Sequence, residues 1–561
     1  MVTAILAVAP ATAMLLHSGR TEGLSPTNVA RAWWTIAAEN RWGDPASAFP
    51  AKPRRLMPGS RGWWASFGYS AAVAGLVLTG VGRRVDRVLA APTLGRRPIA
   101  LRGARPRSWA RPRDVSALVV RRRVPERFML GTIGRPARLL AADEELNLLL
   151  VAPTRAGKTS RFVVPWTLES PGPCISLSVK TDVYRLTARH RAQLGRVWLW
   201  DPFGRQSAGW SPLLGCRQWD VALRRASHLA DAGGKGRNSE AAAFWNAEGA
   251  KLLAPLLHAA AQSGRDMATV LRWLDEHAEE EPLTILDAAD ADAAAAQLEA
   301  VLGLDPRNSG TTYISAASLI DAYRHPQVQR TESVKDLSAE RFLDGRPNTL
   351  YIVAGAEDQQ LVAPIVVALI SQILTLAATR ANASGKPLEP RLRVVGDELP
   401  NIAPLRSLPR YVATMLDAGV RIASVCQDLA QLEGVFGQDK DTILSNSQVK
   451  LFLGPVSCPR TRRYIVELLG DEPTVTRSRT RGERGTTNES VTWRPRASAQ
   501  LLQQLDERRA LLVHGNLPAA VIESRPWWQI PAIRRSCDHP RSSELSLGGV
   551  GSRPSNGRAV V

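Results

Sequence analysis

The sequence predicts an α/β protein: a parallel sheet with crossover helices around a phosphate-binding loop, interrupted by an all-α insert and preceded by one or two transmembrane helices. Three observations carry this. The apolar run LNLLLVA, residues 146–152, leads straight into PTRAGKTS, a loop of the kind that joins a strand to a helix. Short apolar runs bounded by turn residues recur on both sides of a long Ala/Leu-rich stretch, which reads as strands alternating with helices around a helical insert. Residues 63–82, WWASFGYSAAVAGLVLTGVG, are twenty residues without a charge, and a bilayer takes about 20.

The aromatics at the start of that run and Arg83, Arg84 and Arg87 after it match the interfacial belt and positive cytoplasmic flank of a spanning helix. A buried Ala/Gly-rich helix is the alternative. The run VTAILAVAPATAMLLH, residues 2–17, contains Pro10 and is short for a span, so it reads as a first membrane helix or a signal-like segment. If both cross, residues 18–62 form an outside loop whose seven Lys or Arg weaken the positive-inside bias.

At 561 residues with 44% hydrophobic content the chain is long enough for several globular domains. Its formal charge of +20 suits a polyanion or an anionic membrane face. Only nine of the 72 basic residues are Lys, so overall basicity says less than its distribution. Sixteen Arg and three acidic residues lie between Arg83 and Leu139, placing +13 of the +20 in a tenth of the chain. The five cysteines are scattered with no metal-ligand spacing, which implies a reducing compartment and no zinc site.

Strand signals fall at LNLLLVA (146–152), PCISLSV (173–179) and RVWLWD (196–201). After the helical stretch they resume at TLYIVAG (349–355), LRVVGDE (392–398), RIASVCQ (421–427), VKLFLG (449–454) and RALLVHG (509–515). The expected division is therefore a membrane anchor over 1–90, an Arg-rich linker over 91–140, an α/β P-loop domain over 141–210 and 339–535, an all-α insert over 211–338, and a Ser/Gly/Pro/Arg-rich disordered tail over 536–561.

The phosphate loop is Ala152-Pro153-Thr154-Arg155-Ala156-Gly157-Lys158-Thr159, a Walker A pattern with Ala152 in place of the first Gly, followed by Ser160. Ala is acceptable there if its φ is negative, whereas Gly157 sits where backbone amides close on phosphate before a helix begins. Lys158 is expected to neutralise phosphate oxygens and the Thr159 hydroxyl to ligate Mg²⁺. Pro165 limits the helix that follows. A second carboxylate-bearing strand ends in Asp397-Glu398, with Asp397 placed to hold Mg²⁺ through water and Glu398 to polarise an attacking water. One strand on, Gln427 is placed to sense the γ-phosphate or orient that water, with a plain helix N-terminal role as the alternative. The expected ligands are ATP and Mg²⁺.

These residues resemble the TraG/TraD-type coupling ATPases of conjugation and type IV secretion, relatives of the FtsK/HerA translocases. The likeness runs from about Asn147 to Trp528 and is strongest in GDELPNIAPLRSLPRYVATMLDAGVRIASVCQDLAQLEGVFGQDKDTILSNSQVKLFLG, residues 396–454. VKTDVYRLTARHR (179–191), WDPFG (200–204), FWNAEGAKLL (244–253) and RALLVHGNLPAAVIESRPWW (509–528) support it. The resemblance implies a membrane-anchored homohexamer with a RecA-like motor and an inserted all-α domain. It implies ATP hydrolysis that drives single-stranded DNA, with its attached relaxase, into a type IV secretion channel from the cytoplasmic side of the inner membrane. A coupling protein for protein cargo and a soluble DNA pump are the other readings. No arginine finger is fixed; Arg410 and Arg421 are candidates.

Overall fold

The computed structural model describes residues 2–21, 24–69, 109–232, 240–303, 305–334, 336–479 and 487–537. The chain divides into two units, residues 1–104 and 105–561.

In the first unit the opening run forms one helix, Val2–Ser18, with Pro10 inside it. At 17 residues it is short of the roughly 20 that span a bilayer. A second helix, Pro26–Ala38, starts where the Ser25 side chain accepts a hydrogen bond from the Asn28 amide, the usual satisfaction of an orphan helix donor. Met14, Ile36, Phe49 and Trp63 share a small buried core, so residues 24–57, expected as a loop, contain packed helical structure. A further helix covers 60–69. Residues 70–82 of the expected spanning helix lie outside the described residues.

The second unit is built on a sheet whose strands, in chain order, are β1 (Val119–Val120), β2 (Met129–Ile133), β3 (Arg138–Ala141), β4 (Leu148–Val151), β5 (Cys174–Ser178), β6 (Val197–Trp200), β7 (Thr349–Val353), β8 (Leu392–Asp397), β9 (Val420–Cys426), β10 (Val449–Leu453), β13 (Arg509–His514) and β14 (Ala520–Glu523). A separate hairpin pairs β11 (Asp471–Arg479) with β12 (Thr487–Pro495). Among the described residues the main sheet runs β1-β3-β2-β14-β13-β10-β4-β9-β8-β5-β7-β6. Each expected strand signal coincides with a strand. The block from β10 to β6 is parallel throughout. Its central strands are buried on both faces, which is why they read as largely apolar runs.

Two expectations need correction. The sheet is not all parallel: β13 runs antiparallel to β10, and β14, β2, β3 and β1 continue antiparallel from it. Three of those strands, β1, β2 and β3, fall within residues 119–140, expected as linker, except for Ala141 at the end of β3. Their basic side chains hid them, and several of those side chains are used internally. Arg123 pairs with Glu169, its Nη2 lying 2.8 Å from Oε2, and Arg127 donates to the Ala141 carbonyl at 3.0 Å and to Asp143 at 3.1 Å. Buried Arg393 at the start of β8 donates to the Pro125 carbonyl at 2.7 Å and stacks 4.5 Å over Phe128. At the other end of the unit, Ser536 closes the helix Pro531–Ser536 and Cys537 is buried. The remainder of the expected tail lies outside the described residues.

Between β6 and β7 the regular elements among the described residues are all helical, the longest being Glu240–Ser263. Its Leu252, Leu253 and Leu257 belong to the same apolar core as Leu177 and Trp200 of the sheet, so one face of the sheet and these helices share a core. Under that face runs Gln359–Ser384, apolar on every side. It is the one helix among the described residues long and apolar enough to cross a membrane, but 72% of its most apolar stretch is buried inside the protein. It is a core helix. The opposite face is covered by Phe162, Val163 and Trp166 from the segment that follows the phosphate loop.

Candidate functional site

The site forms where β4, β9 and β8 end side by side. β9 lies between the other two, so the loop after β4 and the carboxylates after β8 face each other across the end of β9. The phosphate loop leaves β4 at Ala152, which is buried and whose amide donates to the Cys426 carbonyl of β9 at 3.0 Å. Ala152 is not among the residues with positive φ, so the missing glycine costs the loop nothing. The Pro153 carbonyl accepts from the Ala156 amide at 3.3 Å. Thr154 and Arg155 stand exposed at the crest, with Arg155 at φ 66°. Gly157 has φ +83°, a conformation that costs other residues about 1 kcal/mol or more.

After Lys158 the chain widens into a π turn over Thr159–Val163 before the α-helical turn Val164–Leu168. Pro165, which has no amide hydrogen to give the preceding turn, accounts for the widening and for the short helix. The Ser160 hydroxyl donates back to the Gly157 carbonyl at 3.2 Å.

The strand that carries the carboxylates ends abruptly. Glu398 has φ 61°, a left-handed conformation that stores about 1–3 kcal/mol in a residue with a side chain. This turn folds Leu399 back over β8, so that a Cβ on Gly396 would lie 2.3 Å from Leu399 Cδ1. The glycine is therefore required for the turn that aims Glu398 at the loop. Glu398 Oε1 accepts from Lys158 Nζ at 2.9 Å and from Gln427 Nε2 at 2.9 Å. Gln427 Oε1 is 3.5 Å from the Thr154 hydroxyl, so it bridges the loop and the carboxylate. Asp428, next in sequence, caps the following helix by accepting from the Gln431 amide. The capping role belongs to Asp428, and Gln427 faces the site.

Asp397 is 5% exposed. Its Oδ2 accepts from the Thr159 hydroxyl at 2.5 Å, while Oδ1 is buried without a hydrogen-bond partner and 3.9 Å from Lys158 Nζ. A hydroxyl beside a carboxylate with a spare buried oxygen is a hard-oxygen donor set, the chemistry that suits Mg²⁺.

The two carboxyls are pushed apart. Burial drives Asp397 above the usual carboxylate range, reinforced by Glu398 and Asp182 and only partly opposed by Thr159 and Lys158. Burial also pushes Glu398 upward, but hydrogen bonds from Lys158 and Gln427 outweigh it and hold that carboxyl below its ordinary value. Glu398 therefore contributes stability above its unfolded-state value that is lost as pH falls through the folded one. For Asp397 the order reverses. Its relative contribution is greatest in acid and is lost as pH rises through its raised folded value, so the ionised carboxylate costs stability at neutral pH. Asp397→Asn is accordingly expected to raise the melting temperature of the protein without nucleotide by about 2 °C at pH 7. The same variant should lose the further rise that Mg²⁺ and ATP together give the unaltered chain. A melting temperature that falls on substitution would show Asp397 to be structural.

Of the two arginine candidates, Arg421 is 4% exposed and bonded to the Glu126 carbonyl at the far end of β9. It is committed there and is not free to reach a neighbour. Arg410 is exposed, 5.2 Å above the Tyr411 ring. One residue near the loop carried no sequence signal beyond being basic: Arg161, whose Nη1 donates to the Ser524 carbonyl at 2.5 Å.

A family model described as "Type IV secretory system Conjugative DNA transfer" matches residues 117–534. The chain belongs to this family. Among curated relatives of this type IV secretory chain, the conjugal transfer protein TraG of Escherichia coli is 26% identical over 359 residues, 58% of this chain and 55% of TraG. Protein VirD4 of Agrobacterium fabrum is 25% identical over 346 residues, 59% of this chain and 50% of VirD4. The chain thus spans about half the length of these relatives. The bacterial conjugative coupling protein TrwBdeltaN70, solved in complex with sulphate, superposes with a TM-score of 0.58 at 17% identity, over 75% of this chain and 96% of that one. TrwB in complex with ADP and Mg²⁺ gives 0.56 at 17% identity, over 78% and 97%. The fold is thus the RecA-like α/β fold expected from the sequence.

Proposed function

We propose that this chain is a coupling ATPase that takes up single-stranded DNA with its relaxase and passes it to a type IV secretion channel. In this reading it works as a homohexamer anchored in the inner membrane, its motor in the cytoplasm. One observation carries the enzymatic part: Lys158, Glu398 and Gln427 converge within hydrogen-bond reach at the ends of three neighbouring strands, with Thr159 and Asp397 beside them.

Lys158 neutralises the β- and γ-phosphate oxygens, and the helix start behind Gly157 adds its own attraction for anions. A phosphate that draws the Lys158 ammonium away from Glu398 leaves that carboxylate ionised and held by Gln427, free to take a proton from the attacking water. Mg²⁺, held by Thr159 and through water by Asp397, would supply charge neutralisation at the phosphates. The separation of the two carboxyls' proton affinities fits this division, since Glu398 is kept ionised and Asp397 is relieved by a cation. TrwB, a relative in fold, is known in complex with ADP and Mg²⁺, which supports the choice of ligands. The experiment is ATP turnover by the purified full chain with and without single-stranded DNA. A chain that binds ATP and Mg²⁺ but never turns it over would sink the reading.

The anchor rests on the uncharged run 63–82 and the Arg residues that follow it. Each basic residue near an anionic surface adds about 1 kcal/mol. Carbonate washing of membranes is expected to leave the full chain in the pellet, while deletion of residues 1–90 releases it in part. Extraction of the intact chain by carbonate would remove the anchor from the proposal.

A further inference from the structure

Among the described residues β6 ends the main sheet, with β7 on one side and no strand on the other. The Thr349 amide donates to the Arg196 carbonyl at 2.8 Å, and in a parallel pair alternate residues of a strand direct both backbone groups to the same side. Trp198 and Trp200 therefore bond to β7, while Val197 and Leu199 turn their amides and carbonyls away from it. Of these four outward groups the Leu199 carbonyl accepts from the Ala208 amide at 2.6 Å. The other three form an open ladder, the template on which a further strand pairs.

This edge opens into a cavity of about 700 Å³ whose lining includes Val197 and Leu199. The helix Asp182–Leu194 overhangs it with Tyr184, and the helix Pro326–Val334 with Gln327, Arg330 and Val334. Tyr184 packs against the core of one face of the sheet, whereas Val328 of the second helix lies in the core of the other face. The cavity thus straddles the strand edge, and so has room for the side chains of an added strand on both faces.

Charge narrows the choice of that strand. Arg205, in the loop after β6, and Arg330 both line the cavity and are exposed. Arg330 Nε donates to the Pro326 carbonyl at 3.3 Å, and among the described residues neither guanidinium is paired with a carboxylate. The one carboxylate of the lining, Asp336, is engaged by the Gly209 amide at 2.7 Å. Tyr184, Val197, Leu199 and Phe203 supply apolar surface between the charges.

We propose that this edge docks an extended acidic peptide, which adds as a strand beside β6 with apolar residues toward Tyr184 and Leu199 and carboxylates toward Arg205 and Arg330. Four strands separate β6 from β4, so the site is distinct from the phosphate site and does not depend on the reading of it.

The probe is a fluorescein-labelled hexapeptide of alternating Glu and Val, capped at both ends, titrated with the full chain in detergent and read by anisotropy. One counterpart has Lys for Glu. A second keeps the Glu side chains but carries N-methyl groups on alternate amides, which removes the ladder donors. The unaltered chain is expected to bind the Glu peptide at least about tenfold more tightly than either counterpart. Leu199→Pro, which removes one outward amide from an edge strand, should weaken it about fivefold. Should that variant fail to fold, the surface pair Arg205→Glu and Arg330→Glu together still tests the charge, and should reverse the preference in favour of the Lys peptide. No binding of the Glu peptide, equal binding of the Lys peptide, or indifference to N-methylation would each overturn the proposal. Displacement by an oligothymidylate as readily as by unlabelled Glu peptide would show a general polyanion patch and overturn it too. If the Glu peptide did not bind and Leu199→Pro instead lowered the oligomer mass in light scattering, a second copy would occupy the edge and the peptide site would fall.

Discussion

Glu398→Gln is expected to abolish ATP turnover while leaving ATP bound, and Lys158→Ala to abolish turnover by losing the ATP. The amide keeps the shape of the carboxylate but cannot take a proton, and loss of a general base costs about 10²–10⁴ in rate. The oxygen of the introduced amide could still accept the hydrogen bond that Gln427 now gives Glu398 at 2.9 Å, so the pocket should survive. Removing the lysine acts differently, because Lys158 serves both partners: its ammonium lies 2.9 Å from Glu398 and 3.9 Å from Asp397. Lys158→Ala leaves two neighbouring carboxylates facing each other with their shared cation gone. The Glu398 carboxyl, held below its usual range in part by that lysine, should then protonate at higher pH, and the protein should lose stability at neutral pH, where an unpaired buried charge is costly. Filter retention of labelled ATP beside single-turnover hydrolysis separates the two variants. Near-normal turnover by Glu398→Gln would move the catalytic base elsewhere.

Turnover per chain is expected to rise steeply with both protein concentration and single-stranded DNA. Among the described residues Glu398 is tied to Lys158 and Gln427 and not to an arginine: Arg421 is locked at the opposite end of β9, Arg161 is bonded to Ser524, and Arg155 stands exposed at the crest of the loop. Phosphoryl transfer of this kind gains about 10³–10⁵ from an arginine supplied in trans, and a ring of subunits is the means of supplying it. Exposed Arg410 is the candidate that remains. DNA threaded through such a ring favours the closed interface, and its effect should fade with salt because Arg and Lys contacts release counterions. The measurement is specific activity across a protein dilution series, with and without DNA, at two salt concentrations. Activity that is linear in protein and indifferent to DNA at low salt would favour an adaptor for protein cargo.

The central strands were legible because of where they lie. β4, β5, β7, β8, β9 and β10 are buried along their whole length, and a strand buried on both faces is written mostly in apolar residues. The antiparallel extension was not. β2 and β3 are only partly buried and lie in a run of arginines whose charges are met by Glu169, Asp143 and backbone carbonyls, partners that sequence does not reveal. The helix Gln359–Ser384 shows the converse: by composition it could cross a membrane, and only its burial inside the protein makes it a core helix.

By itself the sequence determined the succession of strands along the chain, the phosphate loop and the acidic pair, because each depends on a local requirement. A strand needs apolar residues, a phosphate turn needs Gly157, and a water-activating site needs a carboxylate at a strand end. Tertiary structure alone decided which of these meet. The insertion of β9 between β4 and β8 brings Lys158 to Glu398 across 240 residues. The left-handed turn at Glu398 aims one carboxylate at the lysine, while burial leaves its neighbour Asp397 with a spare oxygen. Adjacent acids in the chain thus acquire opposite proton affinities, because proton affinity follows solvation and partners, which are properties of the folded surroundings and not of the residue.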